Sequence, residues 1–246
     1  MNPMLNSMDH GLAVALALLF PLWGSMVLPW LLKASDAGLS RRRFVAYLGT
    51  MTLQCVLTFL LLSLWASNSR DWHALGVVPR TTRGILVAAA ILLVVMVPLL
   101  RWRNRILSKP DAFTQLEKIA RGPGPGRLLP CNSAELACFA ALGLSSAITE
   151  EVLYRGFLIW YFNHWLLVWV SAALAAVMFG AGHVYQGMRG AAQAAVIGVI
   201  LAALYIATGS LLIPITVHAL VNLHQAHAMS LALRRWRTSA AVAATA

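Results

Sequence analysis

The chain has 246 residues, 60% of them hydrophobic and 11% charged, with a mean hydropathy of +0.74. Soluble domains are nearer half apolar and a quarter charged, so this composition excludes an ordinary soluble fold and indicates an all-α, polytopic transmembrane helix bundle. The formal charge of +11 does not point to nucleic acid, because the arginines cluster between apolar spans (Arg41 to Arg43, Arg101 to Arg105, Arg234 to Arg237) as the basic residues of cytoplasmic loops do.

In chain order, the start MNPMLNSMDH lacks a basic n-region, so the first apolar run, 11–32, is expected as a retained helix kinked at Pro21 and Pro29. Further spans are expected at 44–65 and 84–100. A basic stretch, 101–130, follows, in which DAFTQLEKIAR suits a short amphipathic helix in the membrane interface. RGPGPGR then breaks helix and is the candidate hinge. The second half predicts spans at 133–162, 167–182, 191–207 and 211–229, with the turn TGS at 208–210 before the last. A further helix within 101–132 would make eight spans instead of seven. Loop charge favours an outside N-terminus, except that Arg70, Arg80 and Arg83 then fall outside as well. Two regions are expected: 1–130, N-terminal helices with a basic stretch, and 131–246, a helical core with a basic tail. Cys55, Cys131 and Cys138 show no disulfide or zinc-knuckle spacing, and Cys55 and Cys138 suit small packing positions.

The polar residues inside these spans are the informative ones. From Lys118 onward the acids are Glu135, Glu150 and Glu151. Glu135 is near the start of its span, within reach of the interface. Glu150 and Glu151 lie near the middle, where a charge costs roughly 2.5–3.5 kcal/mol on insertion scales. Glu151 and Arg155 are four apart, with the acid N-terminal, and can pair. At about 100° per residue Glu150 points away from that pair, which suggests a division of labour: Glu151 held by Arg155, Glu150 free and turned toward His183. A structural cluster of all three is the bland alternative. Downstream, Phe179 and His183 share one helix face, as do His218 and Asn222. Each set alone suits packing or interhelical hydrogen bonds. Together a carboxylate pair, two imidazoles and an amide make the inventory of a hydrolytic site.

The ordered motifs EExxxR (Glu150, Glu151, Arg155), FxxxH (Phe179, His183) and HxxxN (His218, Asn222) resemble those of the CPBP family of intramembrane endopeptidases, the CAAX-processing and bacteriocin-processing (Abi-type) group. EEVLYRGF and ATGSLLIPITVHALVN are similar to that family too, and the resemblance covers 135–229. It implies peptide-bond hydrolysis within the membrane. Glu150 and His183 would activate water, His218 and Asn222 would stabilise the oxyanion, and Glu151, Arg155 and Phe179 would support the site. A carboxylate taken out of water is a stronger base, which suits that chemistry. The family is read both as glutamate-dependent and as metal-dependent. With no HExxH the sequence requires no metal; a divalent ion such as zinc would fall to Glu150, His183 and His218.

Three rivals are open at this level. A serine protease would use Ser145 in GLSS with His183 or His218 as base. A non-catalytic immunity or partner-binding protein would keep the cluster for structure. A transporter would use the acids as an ion path, although no inverted repeat is apparent. His224 and His227 suit an interfacial polar patch better than a metal site, and His164 an aromatic belt. The expected setting is a bacterial inner membrane, and the expected partners are lipid and a peptide or protein segment near the membrane.

Overall fold

The computed structural model describes residues 5–33, 36–77, 112–121 and 124–245, with the single positions Ala90, Val97, Leu100, Arg101, Asn104, Arg105, Ser108 and Lys109. Among the described residues every regular element is helical. We number them α1 (Ser7–Leu32), α2 (Asp36–Ser67), α3 (Trp72–Leu75), α4 (Ala112–Arg121), α5 (Ser133–Phe162), α6 (Val168–Ala181), α7 (Gly187–Thr208) and α8 (Leu212–Thr245).

Among the described residues, four helices are long and apolar enough to cross a membrane: Ser7–Leu32, Gly38–Ser67, Ser133–Phe162 and Val184–Thr208. The shortest of them, 25 residues, spans about 37 Å at 1.5 Å per residue, more than the roughly 30 Å hydrocarbon core. The chain is therefore an integral membrane protein. The expectation of seven or eight crossings is met only in this coarser form. The expected span 84–100 lies largely outside the described residues. The next to last pair of expected spans, 167–182 and 191–207, become a 14-residue apolar helix and a full-length one. The last expected span lies in α8, whose 34 residues include His218, Asn222, His224, Gln225 and His227, and these polar groups dilute its hydropathy.

Local chemistry explains the boundaries. Asn6 caps α1, accepting from Asp9 N while Asp9 accepts from Asn6 N. Asn132 caps α5 by accepting from Glu135 N. Gly209, at φ 61°, closes α7 in the left-handed conformation, the turn that TGS predicts. α1 passes through a π-helical turn at Trp23–Val27 between its two prolines.

α5 is the central element and packs chiefly against α2 and α8, while α6 packs along α7. The α6–α7 contact is built from small residues. A Cβ on Gly198 would stand 3.1 Å from the Ala176 Cβ, and one on Gly180 2.8 Å from the Ala195 Cβ. The main core joins Leu16, Leu61, Trp65, Leu153, Phe157 and Leu158. Outward faces carry Phe59, Val177, Val196 and Leu212, all exposed, as a lipid-facing surface requires.

Several expectations change here. Glu135 does not reach the interface: it is fully buried, paired with Arg43 at 3.3 Å and accepting from Cys131 N at 2.7 Å. Arg43, counted among loop arginines, is likewise buried. Arg70 is no loop charge either. It pairs with Asp9 through two hydrogen bonds of 2.7 and 2.6 Å, with its guanidinium over the rings of Trp65 and Trp160. That removes Arg70 from the charge count that weakened the topology; Arg80 and Arg83 lie outside the described residues. The described part of RGPGPGR is anchored rather than a free hinge. Arg43 Nε donates to the Arg127 carbonyl, Tyr47 donates to that of Leu128, and Arg127 donates to that of Leu32. The amphipathic helix forms as α4 and docks on the end of α8, with Phe113 packed among Met229, Ala232 and Trp236. Cys55 is exposed instead of packed, and Cys138 is half-buried. His164 does join an aromatic group, 4.6 Å from Trp160.

Candidate active site

The EExxxR segment sits where α5 widens. Residues Glu151–Leu158 form a π-helix continuous with the α-helix before them. A π-turn closes through i→i+5 bonds, so each residue rotates less than in an α-helix, and such turns are frequent at functional sites. The expected division of labour holds in part: Glu151 is paired with Arg155, while Glu150 has its own partner in Gln54. Both reach the same imidazole: Glu151 Oε1 lies 2.8 Å from His218 Nδ1, and Glu150 Oε2 lies 3.8 Å from His218 Nε2.

The hydrogen bonds define the protonation pattern. A carboxylate only accepts, so His218 Nδ1–H donates to Glu151. Glu151 Oε1 also accepts from Arg155 Nη1 at 2.8 Å, the pairing that the i,i+4 spacing predicts. Arg155 reaches the Gly198 carbonyl with Nη2 and stacks on the Phe179 ring at 4.4 Å. Phe179 thereby joins two motifs. Its ring carries the guanidinium and lies 4.6 Å from the His183 ring, while its carbonyl accepts from His183 Nδ1 at 2.8 Å. That bond leaves His183 Nε2 as the acceptor nitrogen.

Glu150 is not free. Its Oε1 accepts from Gln54 Nε2 at 2.7 Å. No hydrogen bond or ion pair joins it to His183, the partner expected from the helical geometry; the imidazole within 4 Å is that of His218. Asn222 Nδ2 donates to the Gly143 carbonyl at 2.8 Å, which uses one of its two amide hydrogens. Close approach of α8 to α5 requires Gly143 here, since a Cβ would lie 3.1 Å from the Asn222 Cβ.

Glu150, His183, His218, Asn222, Phe179 and Gln54 all line one cavity of about 520 Å³. Glu151 and Arg155 stand behind it, with Glu151 fully buried and Arg155 1% exposed. The rest of the lining is largely apolar, including Phe20, Trp23, Tyr47, Phe139, Leu142 and Val221, and Pro125, Leu128 and Leu129 close one side. Four acids are buried among the described residues, and three have an arginine: Asp9 with Arg70, Glu135 with Arg43, Glu151 with Arg155. Glu150 is the fourth, and it is the one at the cavity.

Other candidates separate from this site. Ser145 Oγ donates to the Leu142 carbonyl of its own helix, and Ser146 Oγ donates to Gln54 Oε1, so neither bonds an imidazole. His224 and His227 stack with ring centroids 6.5 Å apart. Among the described residues no three His, Cys, Asp or Glu side chains stand close enough together to hold one metal ion. Glu150, His183 and His218 line the same cavity but do not stand close enough together to form such a group. Gln54 is the residue that sequence reasoning missed. Its signal was a lone amide in the middle of an otherwise apolar span.

Residues 132–224 match the family model described as type II CAAX prenyl endopeptidase Rce1-like. Over this segment the chain is similar to the CAAX protease family. The matched residues contain all three motifs. Gln54 lies outside them. No curated protein and no solved structure matches the chain significantly. The family's described activity is proteolysis, and its members in this CAAX protease group act in membranes, in keeping with the apolar helices found here.

Proposed function

We propose that this chain is an intramembrane endopeptidase that hydrolyses a peptide bond in a membrane-associated peptide or protein. The observation that carries the reading is the buried acid without an arginine. Glu150 faces a cavity shared with two imidazoles and an amide, while its neighbour Glu151 is neutralised behind it.

In this mechanism Glu150 Oε2 takes a proton from a water in the cavity, and the lone pair of His183 Nε2 accepts that water's other hydrogen and orients it. The water oxygen bonds to the scissile carbonyl carbon, and the carbonyl π electrons move to its oxygen. That oxyanion accepts from the second amide hydrogen of Asn222. His218 contributes in step with Glu150. Its Nδ1–H is committed to Glu151, so it donates toward the oxyanion only when Nε2 also carries a proton, and Glu150 at 3.8 Å can supply it. Collapse of the intermediate breaks the C–N bond and returns the proton to the leaving nitrogen. Arg155 balances Glu151 throughout.

The substrate class is a segment lying at or in a membrane. A bacterial inner-membrane setting, with a bacteriocin-type leader, a sorting tail or a membrane anchor as substrate, suits this compact chain better than a prenylated CAAX terminus. The test uses purified protein in proteoliposomes with a library of membrane-anchored peptides, cleavage read by mass spectrometry. We expect cleavage by the wild type and none by Glu150→Gln at equal folded yield. Wild-type cleavage by Glu150→Gln overturns the mechanism. An unchanged library with every protein favours a partner-binding role. A chelator arm reads metal dependence separately.

A further inference from the structure

We propose that Gln54 is a positioning residue for Glu150, so that α2, outside the family-matched segment, completes the active site. The inference rests on the proposed role of Glu150 as the group that takes the proton from water.

A glutamine in the middle of a membrane span needs partners for all its polar atoms. Gln54 is 1% exposed and finds them on one partner helix. Its Nε2 donates to Glu150 Oε1 at 2.7 Å, and its Oε1 accepts from Ser146 Oγ at 2.9 Å. Thr149 Oγ1 stands 3.4 Å from the same Oε1 but has the nearer Ser145 carbonyl at 2.9 Å to donate to. The Glu150 carboxylate sets the amide's direction, because it only accepts and the reversed amide would set oxygen against carboxylate oxygen. The Ser146 hydroxyl, which can donate, then fixes the amide from its oxygen end.

This bond divides the carboxylate. Oε1 belongs to Gln54, and Oε2 is left for His218 Nε2 and the cavity. Without the amide, both oxygens are available to His218 and the group can rotate toward it, away from a bound water. The Ser146–Gln54–Glu150 chain thus holds the reacting oxygen by its partner atom, as second-layer hydrogen bonds do around reactive groups generally. Ser146 and Glu150 are four apart on α5, so they lie one turn apart on one face, and a single side chain from α2 bridges them.

The experiment uses full-length protein in proteoliposomes with the peptide that the wild type cleaves best. Gln54→Met keeps length and approximate volume but removes both hydrogen-bonding functions. We expect kcat to fall by about 100-fold, the scale of an ångström-level misplacement, with KM within about twofold of wild type by the same argument. Ser146→Ala should lower kcat by a smaller factor alone and add nothing in the Gln54→Met background, because it acts only through the amide. Wild-type kcat in Gln54→Met, or full additivity of the two substitutions, overturns the proposal. If Gln54→Met does not fold, Ser146→Ala decides: unchanged kcat overturns the proposal, and reduced kcat at unchanged KM supports it. Glu150→Gln runs beside them. An active Glu150→Gln defeats the functional reading itself, whereas an inactive Glu150→Gln with a fully active Gln54→Met defeats only the role of Gln54.

Discussion

Two buried acidic regions of this molecule use the same ingredients to opposite ends. At one, Asp9 and Arg70 form a doubly hydrogen-bonded pair beneath Trp65 and Trp160, with the acid fully buried and one cation to one anion. At the other, two acids, Glu150 and Glu151, lie beside one histidine and a cavity, and the one arginine there pairs with Glu151. A balanced ion pair has no unspent charge and joins helices: Asp9 ties α1 to the end of α2. The unbalanced one leaves a carboxylate oxygen facing open volume, and that surplus is what chemistry requires. Buried ion pairs are weak contributors to stability but costly to break on one side. The comparison therefore predicts different phenotypes for similar substitutions.

The largest effect is expected on turnover. Glu150→Gln should abolish measurable cleavage, with thermal stability close to wild type, since Gln still fits between Gln54 and His218; circular dichroism and the cleavage assay check the two halves together. Asp9→Asn should do the reverse. It leaves Arg70 unpaired and should cost about 3–5 kcal/mol of stability, while turnover per folded molecule stays at wild type. Folded yield from size-exclusion chromatography, set against active-site-normalised kcat, reads this directly. Glu151→Gln lies between them and sharpens the contrast. Arg155 loses its charge partner in a dry site, so both folded yield and activity should fall. Asn222→Ala should raise the barrier by about 2.7–4 kcal/mol, as removal of an oxyanion donor does, with kcat the quantity to measure. Ser145→Ala should change neither stability nor cleavage measurably, because its hydroxyl only back-bonds to its own helix; a large loss of activity there revives the serine-protease alternative.

Legibility in the sequence followed the range of each interaction. The helical membrane class was readable because hydropathy is a sum over adjacent residues. The Glu151–Arg155 pair was readable because four residues on one helix are neighbours in any fold. The seven residues named from the three motifs were a sound choice of candidates in the limited sense that they gather around one cavity or directly behind it; their roles in catalysis are for the substitutions above to test. What sequence spacing left out was the partner of Glu150: it lines the same cavity as His183, but its hydrogen bond goes to Gln54 and the imidazole within 4 Å is that of His218. Glu135 and Arg43 misled for a related reason: span-end residues were assigned to the interface, yet 92 positions apart they meet inside the protein.

By itself, then, the order of residues determined a membrane-embedded helical protein, its likeness to a protease family over 132–224, and the Glu151–Arg155 pair. Those properties depend on composition and on local periodicity. Only the tertiary structure decided what holds Glu150 and which imidazole lies beside it, because that depends on which side chains arrive from other helices. Arg155 comes from the same helix as Glu151, but His218 comes from α8 and Gln54 from α2, 96 positions before the acid it holds. Nothing in the local sequence around Glu150 specifies that amide; the packing of α2 on α5 does.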